Sequence, residues 1–212
     1  MLSSTIPIFP LHNVVLFPGI FLPLYIFEPR YREMVAQALE GNQLIGIVLL
    51  QSGDKAITDA YQPIYPIGCV GRITHADRLA DGCYNIILHG LEKFRIIAEE
   101  PTTHPYRIAR TEPLSEPDDG NNNPLLIRSA RKRLETILFQ SSESLSNEIK
   151  ISPSMADTDL VNSLSQYLEL EPVERQALLE REGLLERCLT LIEILEIKTL
   201  ADKWVKQTDV LH

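Results

Sequence analysis

The feature that most limits the fold is a change of pattern across residues 113–124, PLSEPDDGNNNP. This stretch is polar, holds three prolines and lacks apolar periodicity, so it reads as a linker. Before it, short runs rich in Val, Ile, Phe and Tyr are bounded by Gly, Pro and Asp, as strands are. They fall at residues 6–9, 14–17, 22–26, 44–50, 67–73, 84–89, 93–98 and 106–111. After it, apolar residues recur every three to four positions, as on the buried face of a helix. The expected class is therefore α+β. The expected layout is a β-rich domain over 1–115, a linker over 116–124 and an α-helical bundle over 125–212.

Local signals refine this outline. Asp81-Gly82 between apolar runs predicts a hairpin, because Gly tolerates positive φ. Residues 89–92, HGLE, predict a second turn. One helix interrupts the strands. Pro29 suits a first helical turn, and Tyr31, Met34, Val35, Ala38 and Leu39 share one face before Gly41 stops it. In the second half, one apolar face comprises Leu126, Ile127, Ala130, Leu134, Ile137 and Leu138. Another comprises Leu160, Val161, Leu164, Tyr167 and Leu168, with Asp157 as the expected N-cap. Pro172 opens a short helix, and Leu184 leads a long one towards Trp204. The Ser-rich residues 141–156 read as loop.

Charge and cysteines narrow the function classes. The chain of 212 residues carries a formal net charge of −9. Residues 1–115 hold 9 Lys/Arg against 11 Asp/Glu, and residues 116–212 hold 11 against 18. Phosphate binding needs a basic surface, so nucleic acid is not an expected partner. Cys69, Cys83 and Cys188 fit no CxxC spacing, and their odd number makes a poor disulfide framework. A reducing, cytoplasmic setting is the expectation. The start, MLSSTIPIFPLHNVV, has no basic n-region before an apolar stretch. No window approaches an uninterrupted membrane span, so no membrane association is expected.

No catalytic constellation stands out. Gly41 and Gly46 have the first spacing of a phosphate loop, but Ile47 and Val48 follow where Lys and Ser or Thr would be needed. There is no GxSxG elbow. The cysteines sit in apolar runs, which suits small buried hydrophobes better than thiolates. His75 and His89 with Cys69 or Cys83 form the only zinc grouping worth weighing, and turn or strand-edge imidazoles are the preferred reading of them. The expectation is no catalytic residue, no metal and no cofactor. Arg128, Arg131, Lys132 and Arg133 make the only basic concentration, and a solvated helix face accounts for it. Arg30-Tyr31-Arg32 with Glu28 and Glu33 reads likewise as a charged helix face around one inward Tyr.

Several separated segments carry a family likeness. The opening run IPIFPLHNVVLFPGIFLPLYIFEPRYREM, residues 6–34, has a Pro-Leu turn, a Val-rich strand and a Phe-Pro-Gly turn in that order. Then come YPIGCVG at 65–71, GLEKFRI at 90–96, Pro105-Tyr106 with Glu112-Pro113-Leu114, and helical segments starting at Asp159, Glu174 and Leu184. Together they resemble the amino-terminal, substrate-binding domain of the Lon protease family. The likeness covers about 190 residues and is weakest in the linker. It implies a PUA-like pseudo-barrel followed by a helical bundle. It also implies a non-catalytic module that binds unfolded or damaged polypeptides, with an adaptor role for a protease or chaperone and weak homo-oligomerisation. Neither the ATPase motif nor the Ser–Lys peptidase of full-length Lon is found. The alternative is a nucleic-acid-binding PUA-like protein, since such barrels also read RNA.

Polypeptide capture needs exposed apolar groups or an open sheet edge. The best candidate is the turn at residues 16–23, LFPGIFLP, with Phe17, Pro18, Ile20 and Phe21 as its candidate contact residues; because turns face solvent, some of Phe17, Ile20 and Phe21 are expected to be exposed. The competing reading folds that turn into the core. Tyr65, Pro66 and Ile67, with Tyr61 nearby, make the second candidate, where aromatics act as contact anchors.

Overall fold

The computed structural model describes residues 5–51, 62–115, 124–140 and 154–209. Two compact units emerge. One comprises residues 1–115 with 171–179, the other 116–170 with 180–212.

The first unit is built on six strands: β1 (Thr5–Leu11), β2 (Phe21–Ile26), β3 (Leu44–Leu49), β4 (Ile67–Arg78), β5 (Tyr84–Glu100) and β6 (Arg107–Leu114). Their order is β2-β5-β4-β3-β1-β6, and a further β5–β6 pairing closes five of them into a ring. The long strand β5 makes this possible. Its first part, Tyr84 to His89, pairs with β2, and its second part, Lys93 to Glu100, pairs with β6. β4 runs along its other edge. The predicted turn at residues 89–92 is thus the middle of one strand. A bulge absorbs the change of direction where Val70 and Gly71 of β4 face Glu92 and Gly90.

Inside the ring, Ile6, Ile8, Leu44, Val48, Val70, Phe94 and Ala109 form a core cluster. Gly46 and Gly68 are required there, since a Cβ at either would press into the Phe94 ring. Outside the ring, helix α1 (Pro29–Glu40) buries Tyr31, Met34, Val35 and Ala38. Phe9 and Tyr31 meet with ring centroids 4.2 Å apart. The Tyr106 hydroxyl donates to Gln37 Oε1 of α1 at 2.5 Å, tying the helix to the approach to β6. Pro29 opens α1 and Gly41 caps it, as its pattern predicts. The Asp81-Gly82 hairpin also forms, with Gly82 at φ +82.

Residues 14–17 do not form the predicted strand. Val15, Leu16 and Phe17 are all buried, so an apolar run here marks an irregular core plug, which periodicity alone does not separate from a buried strand. The helix Pro172–Glu180 packs with this unit: the Gln176 side-chain amide donates to the Ile67 carbonyl at 2.9 Å.

The helices after the linker are α2 (Pro124–Gln140), α3 (Asp157–Tyr167), α4 (Pro172–Glu180) and α5 (Leu184–Asp209). In the second unit, α2, α3 and α5 bury Ala130, Leu134, Leu138, Leu160, Val161, Leu164, Cys188, Leu191 and Ile192. Leu126, expected on the inward face of α2, is exposed. Asp157 is not the cap of α3. Ala156 holds that position, and Asp157 in the first turn receives Arg131 Nη1 at 2.6 Å. The Ser-rich expectation for 141–153, the linker residues 116–123 and Tyr61 lie outside the described residues.

Candidate functional site: an aromatic edge strand

The site is assembled by the turn that precedes β2. Pro18 and Gly19 reverse the chain, with Gly19 at φ 78. The turn then bonds directly to β5. The Gly19 amide donates to the Gly90 carbonyl at 2.9 Å, and the Gly90 amide donates to the Ile20 carbonyl at 2.9 Å. This corrects the expected exposure of two candidate residues. Phe17 is 0% exposed and Ile20 6%. The turn is held against β5 by backbone bonds, and its hydrophobes are driven inward by the apolar surface they remove from water. Pro18 is half-buried, and Phe21 is 53% exposed.

The Gly90–Ile20 bond also sets the orientation of the next strand. In an antiparallel pair, alternate residues turn their backbone groups towards the partner. Ile20, Leu22, Leu24 and Ile26 therefore face β5 with their backbone groups, and Phe21, Pro23 and Tyr25 face away from it. Proline is admitted at 23 because no ladder donor is needed there. Among the described strands, β2 pairs with β5 alone, in an unbroken register from Phe21↔His89 to Ile26↔Tyr84.

Side chains alternate in the same way. Phe21, Pro23 and Tyr25 stand on one face of β2 and are exposed, with Phe27 next to them. Tyr25 is 53% and Phe27 61% exposed. Phe21 stacks on His89 with centroids 4.6 Å apart, and Tyr25 stacks on Phe27 at 6.1 Å. The register extends this face across three strands. Phe21 aligns with His89 and Arg72, Pro23 with Ile87 and His75, and Tyr25 with Asn85 and Asp77. Arg72 is aligned on its other side with Leu44 of β3, a member of the core cluster, and directly aligned residues share a face. The open face is thus the continuation of the face that lines the ring.

The surroundings are chemically quiet. The Cys83 thiol beside Tyr25, by hydrogen bond and charge, holds the phenol above its ordinary range. Asp81 is held below the usual carboxylate range, chiefly by the Cys83 amide that donates to it at 2.9 Å. Cys69 and Cys83 are buried and in no disulfide, whereas His75 is exposed and His89 half-buried on the open face. Among the described residues, no three His, Cys, Asp or Glu side chains gather to hold a metal. Arg30 pairs with Glu28 at 2.9 Å and lies over the Tyr31 ring. In the basic run, Arg131 is engaged by Asp157 and Glu135, and Arg133 by Glu196 at 2.7 Å.

The second candidate surface is separate. The Tyr65 amide donates to the Leu49 carbonyl, and the Pro66 and Ile67 carbonyls receive Ile96 and Gln176. Tyr65 and Ile67 are half-buried, and Pro66 is exposed. Ile67 lies five residues along β4 from Arg72, about 17 Å in an extended strand. The structure therefore does not bring residues 65–67 to the Phe21 face. Tyr25, Phe27, Ile87 and His89 belong to that face beside Phe21 and Pro23 of the predicted turn, and were missed by sequence reasoning. In FLPLYIF every residue is apolar or aromatic, so no polar alternation shows which side is open.

Comparison with known proteins settles the family. The model of the ATP-dependent protease La (LON) substrate-binding domain matches residues 5–196. The chain belongs to the Lon substrate-binding domain family. It is 28% identical over 201 residues to the Lon protease of Flavobacterium johnsoniae, covering 93% of this chain and 24% of that protein. It is 31% identical over 182 residues to Lon protease 2 of Syntrophobacter fumaroxidans, covering 84% of this chain and 22% of that protein. The chain thus spans about a quarter of the length of the Lon proteases it matches. The fold is shared with the N-terminal domain of Lon protease from the Mycobacterium avium complex: TM-score 0.66, 16% identity, 91% of this chain and 98% of that one. It is also shared with a Lon N-terminal domain protein from Xanthomonas campestris: TM-score 0.57, 22% identity, 89% of this chain and 97% of that one. The α+β class with a β-rich, Lon-type domain agrees with these structures. No helix among the described residues is long and apolar enough to cross a membrane.

Proposed function

We propose that this Lon-type domain is a substrate-recognition module that captures exposed apolar segments of polypeptides on the β2 face. The observation that carries the reading is the solvent exposure of Phe21 and Tyr25 on one face of an edge strand, with Phe27 exposed just beyond its end. Large aromatics at a surface lose area to water on contact with an apolar segment, and they lose little side-chain entropy in doing so. Membership of a substrate-binding family supports the same role. Pro18 borders this face, while Phe17 and Ile20 support it from beneath. Tyr65, Pro66 and Ile67 would form a second, independent contact. Presentation of clients to a protease or chaperone is the cellular role that follows, and weak self-association would add avidity.

The test is fluorescence anisotropy with a reduced, alkylated and permanently unfolded protein. Phe21→Ser combined with Tyr25→Ser should weaken binding at least about tenfold, with near-UV circular dichroism unchanged apart from the lost tyrosine. Unchanged affinity in a folded double variant would overturn the reading. Crosslinking in the native cell, wild type against the same variant, tests the adaptor role.

A further inference from the structure

The charge layout of the β2–β5–β4 face carries a prediction about which segments are preferred. The first row, Phe21, His89 and Arg72, ends on a cation. The middle row, Pro23, Ile87 and His75, is apolar over β2 and β5. The third row, Tyr25, Asn85 and Asp77, ends on an anion. Arg72 and Asp77 are both exposed, and among the described residues neither is engaged by an opposite charge. That sets them apart from Arg95, Arg107 and Arg110, which pair with Glu112, Glu99 and Glu100. The remaining nearby cations are occupied elsewhere. Arg78 aligns with the inward Tyr84 and lies over its ring, and Arg32 donates to the Asp81 carbonyl at 3.3 Å.

The outer rows are aligned with His89 and Asn85, four residues apart on β5 and so about 13 Å apart. An extended peptide has the same repeat. Its side chains at i, i+2 and i+4 point to one side and match the three rows. We propose that this face prefers an extended segment carrying an acidic and a basic side chain four residues apart, with an apolar or aromatic side chain midway. The acid meets Arg72 beside Phe21 and His89, the apolar group lies on Pro23 and Ile87, and the base meets Asp77 beside Tyr25. This deepens the capture reading and rests on it.

Labelled peptides with one shared apolar core and Gln…Gln, Glu…Lys, Lys…Glu, Glu…Glu or Lys…Lys at the flanking positions test the preference by anisotropy. Exposed ion pairs are weak, so each correct charge should tighten binding about two- to fivefold at low salt, and less as salt rises. At least one mixed-charge peptide should bind the wild type best. Arg72→Glu should move the preference to Lys…Lys, and Asp77→Lys should move it to Glu…Glu. Equal binding of all five, with Phe21→Ser/Tyr25→Ser still weakening them, overturns the charge preference and leaves capture standing. Equal binding that also ignores the aromatic variant overturns both.

Discussion

The carbonyl of Phe17 occupies the space in which a side chain at position 90 would stand. That contact, with the hydrogen bonds from Gly19 to Gly90 and from Gly90 to Ile20, locks the turn before β2 onto the middle of β5. A methyl group at 90 must displace backbone, not a flexible side-chain end. Gly90→Ala should therefore destabilise the domain by about 1–3 kcal/mol, the usual cost of forcing volume into a packed site. Urea denaturation followed by fluorescence measures it. A loss below about 0.5 kcal/mol would show that the turn yields easily.

Phe17 and Phe21 stand four residues apart in one apolar run and should respond oppositely to truncation. Phe17 is fully buried, so Phe17→Ala should cost about 3–5 kcal/mol. Phe21 is half open and keeps mainly its stack on His89, so Phe21→Ala should cost no more than about 1 kcal/mol. Polypeptide binding should show the reverse order once only folded protein is compared. Similar melting temperatures for the two variants would contradict the burial.

Where these two residues go was only half legible in the sequence. The elements themselves were legible wherever a local signal had one physical meaning. Pro29 and Gly41 bracketed α1, and Asp81-Gly82 marked the hairpin, because backbone geometry admits few alternatives there. Residues 14–17 and 89–92 misled for the opposite reason. A run of four apolar residues suits a strand or an irregular plug equally, and Gly90 marks a close approach of two backbones as readily as a turn. The open face was hidden because its orientation is set from a distance. The bond between Gly90 and Ile20, seventy residues apart, decides that Phe21 and Tyr25 face out while Leu22 and Leu24 are half-buried.

In the second unit, Arg187 is fully buried and its guanidinium donates to Asn162 Oδ1 at 2.9 Å. Removing a hydrogen-bond acceptor from a buried cation costs more than the bond itself is worth, because the charge stays desolvated. Asn162→Leu should lower stability by about 2–4 kcal/mol despite adding apolar volume. Chemical denaturation of this variant beside wild type decides the point, and equal midpoints would mean that the guanidinium finds an equivalent partner.

Burial, with a smaller contribution from Asp157, pushes the Cys188 thiol up to about 11 from 9.0. The folded state then holds this proton more tightly than the unfolded chain. Stability from this group is present below about pH 9 and is lost as pH rises from there through about 11. Cys188→Ala should flatten that part of the alkaline decline in thermal melts. In the native protein, Cys188 should also resist alkylation at pH 8 until the domain is unfolded. Rapid native labelling at this position would contradict both expectations.

Pro23 sits at the centre of the exposed edge, where a residue of any other type would point an N–H away from β5. An edge strand with a full set of outward donors and acceptors is a template for another strand, and proline removes one donor from the middle of that set. The aromatic face can then stay apolar without the strand zipping to a second copy. Pro23→Val restores the donor and raises strand propensity while keeping the residue apolar. This variant should fold and should self-associate with increasing concentration, read as a rising weight-average mass by light scattering under conditions where wild type stays constant. Pro23→Lys should not associate, because a charge blunts the edge even with the N–H present. Equal behaviour of the Val variant and wild type would show that the edge is protected by something other than its proline.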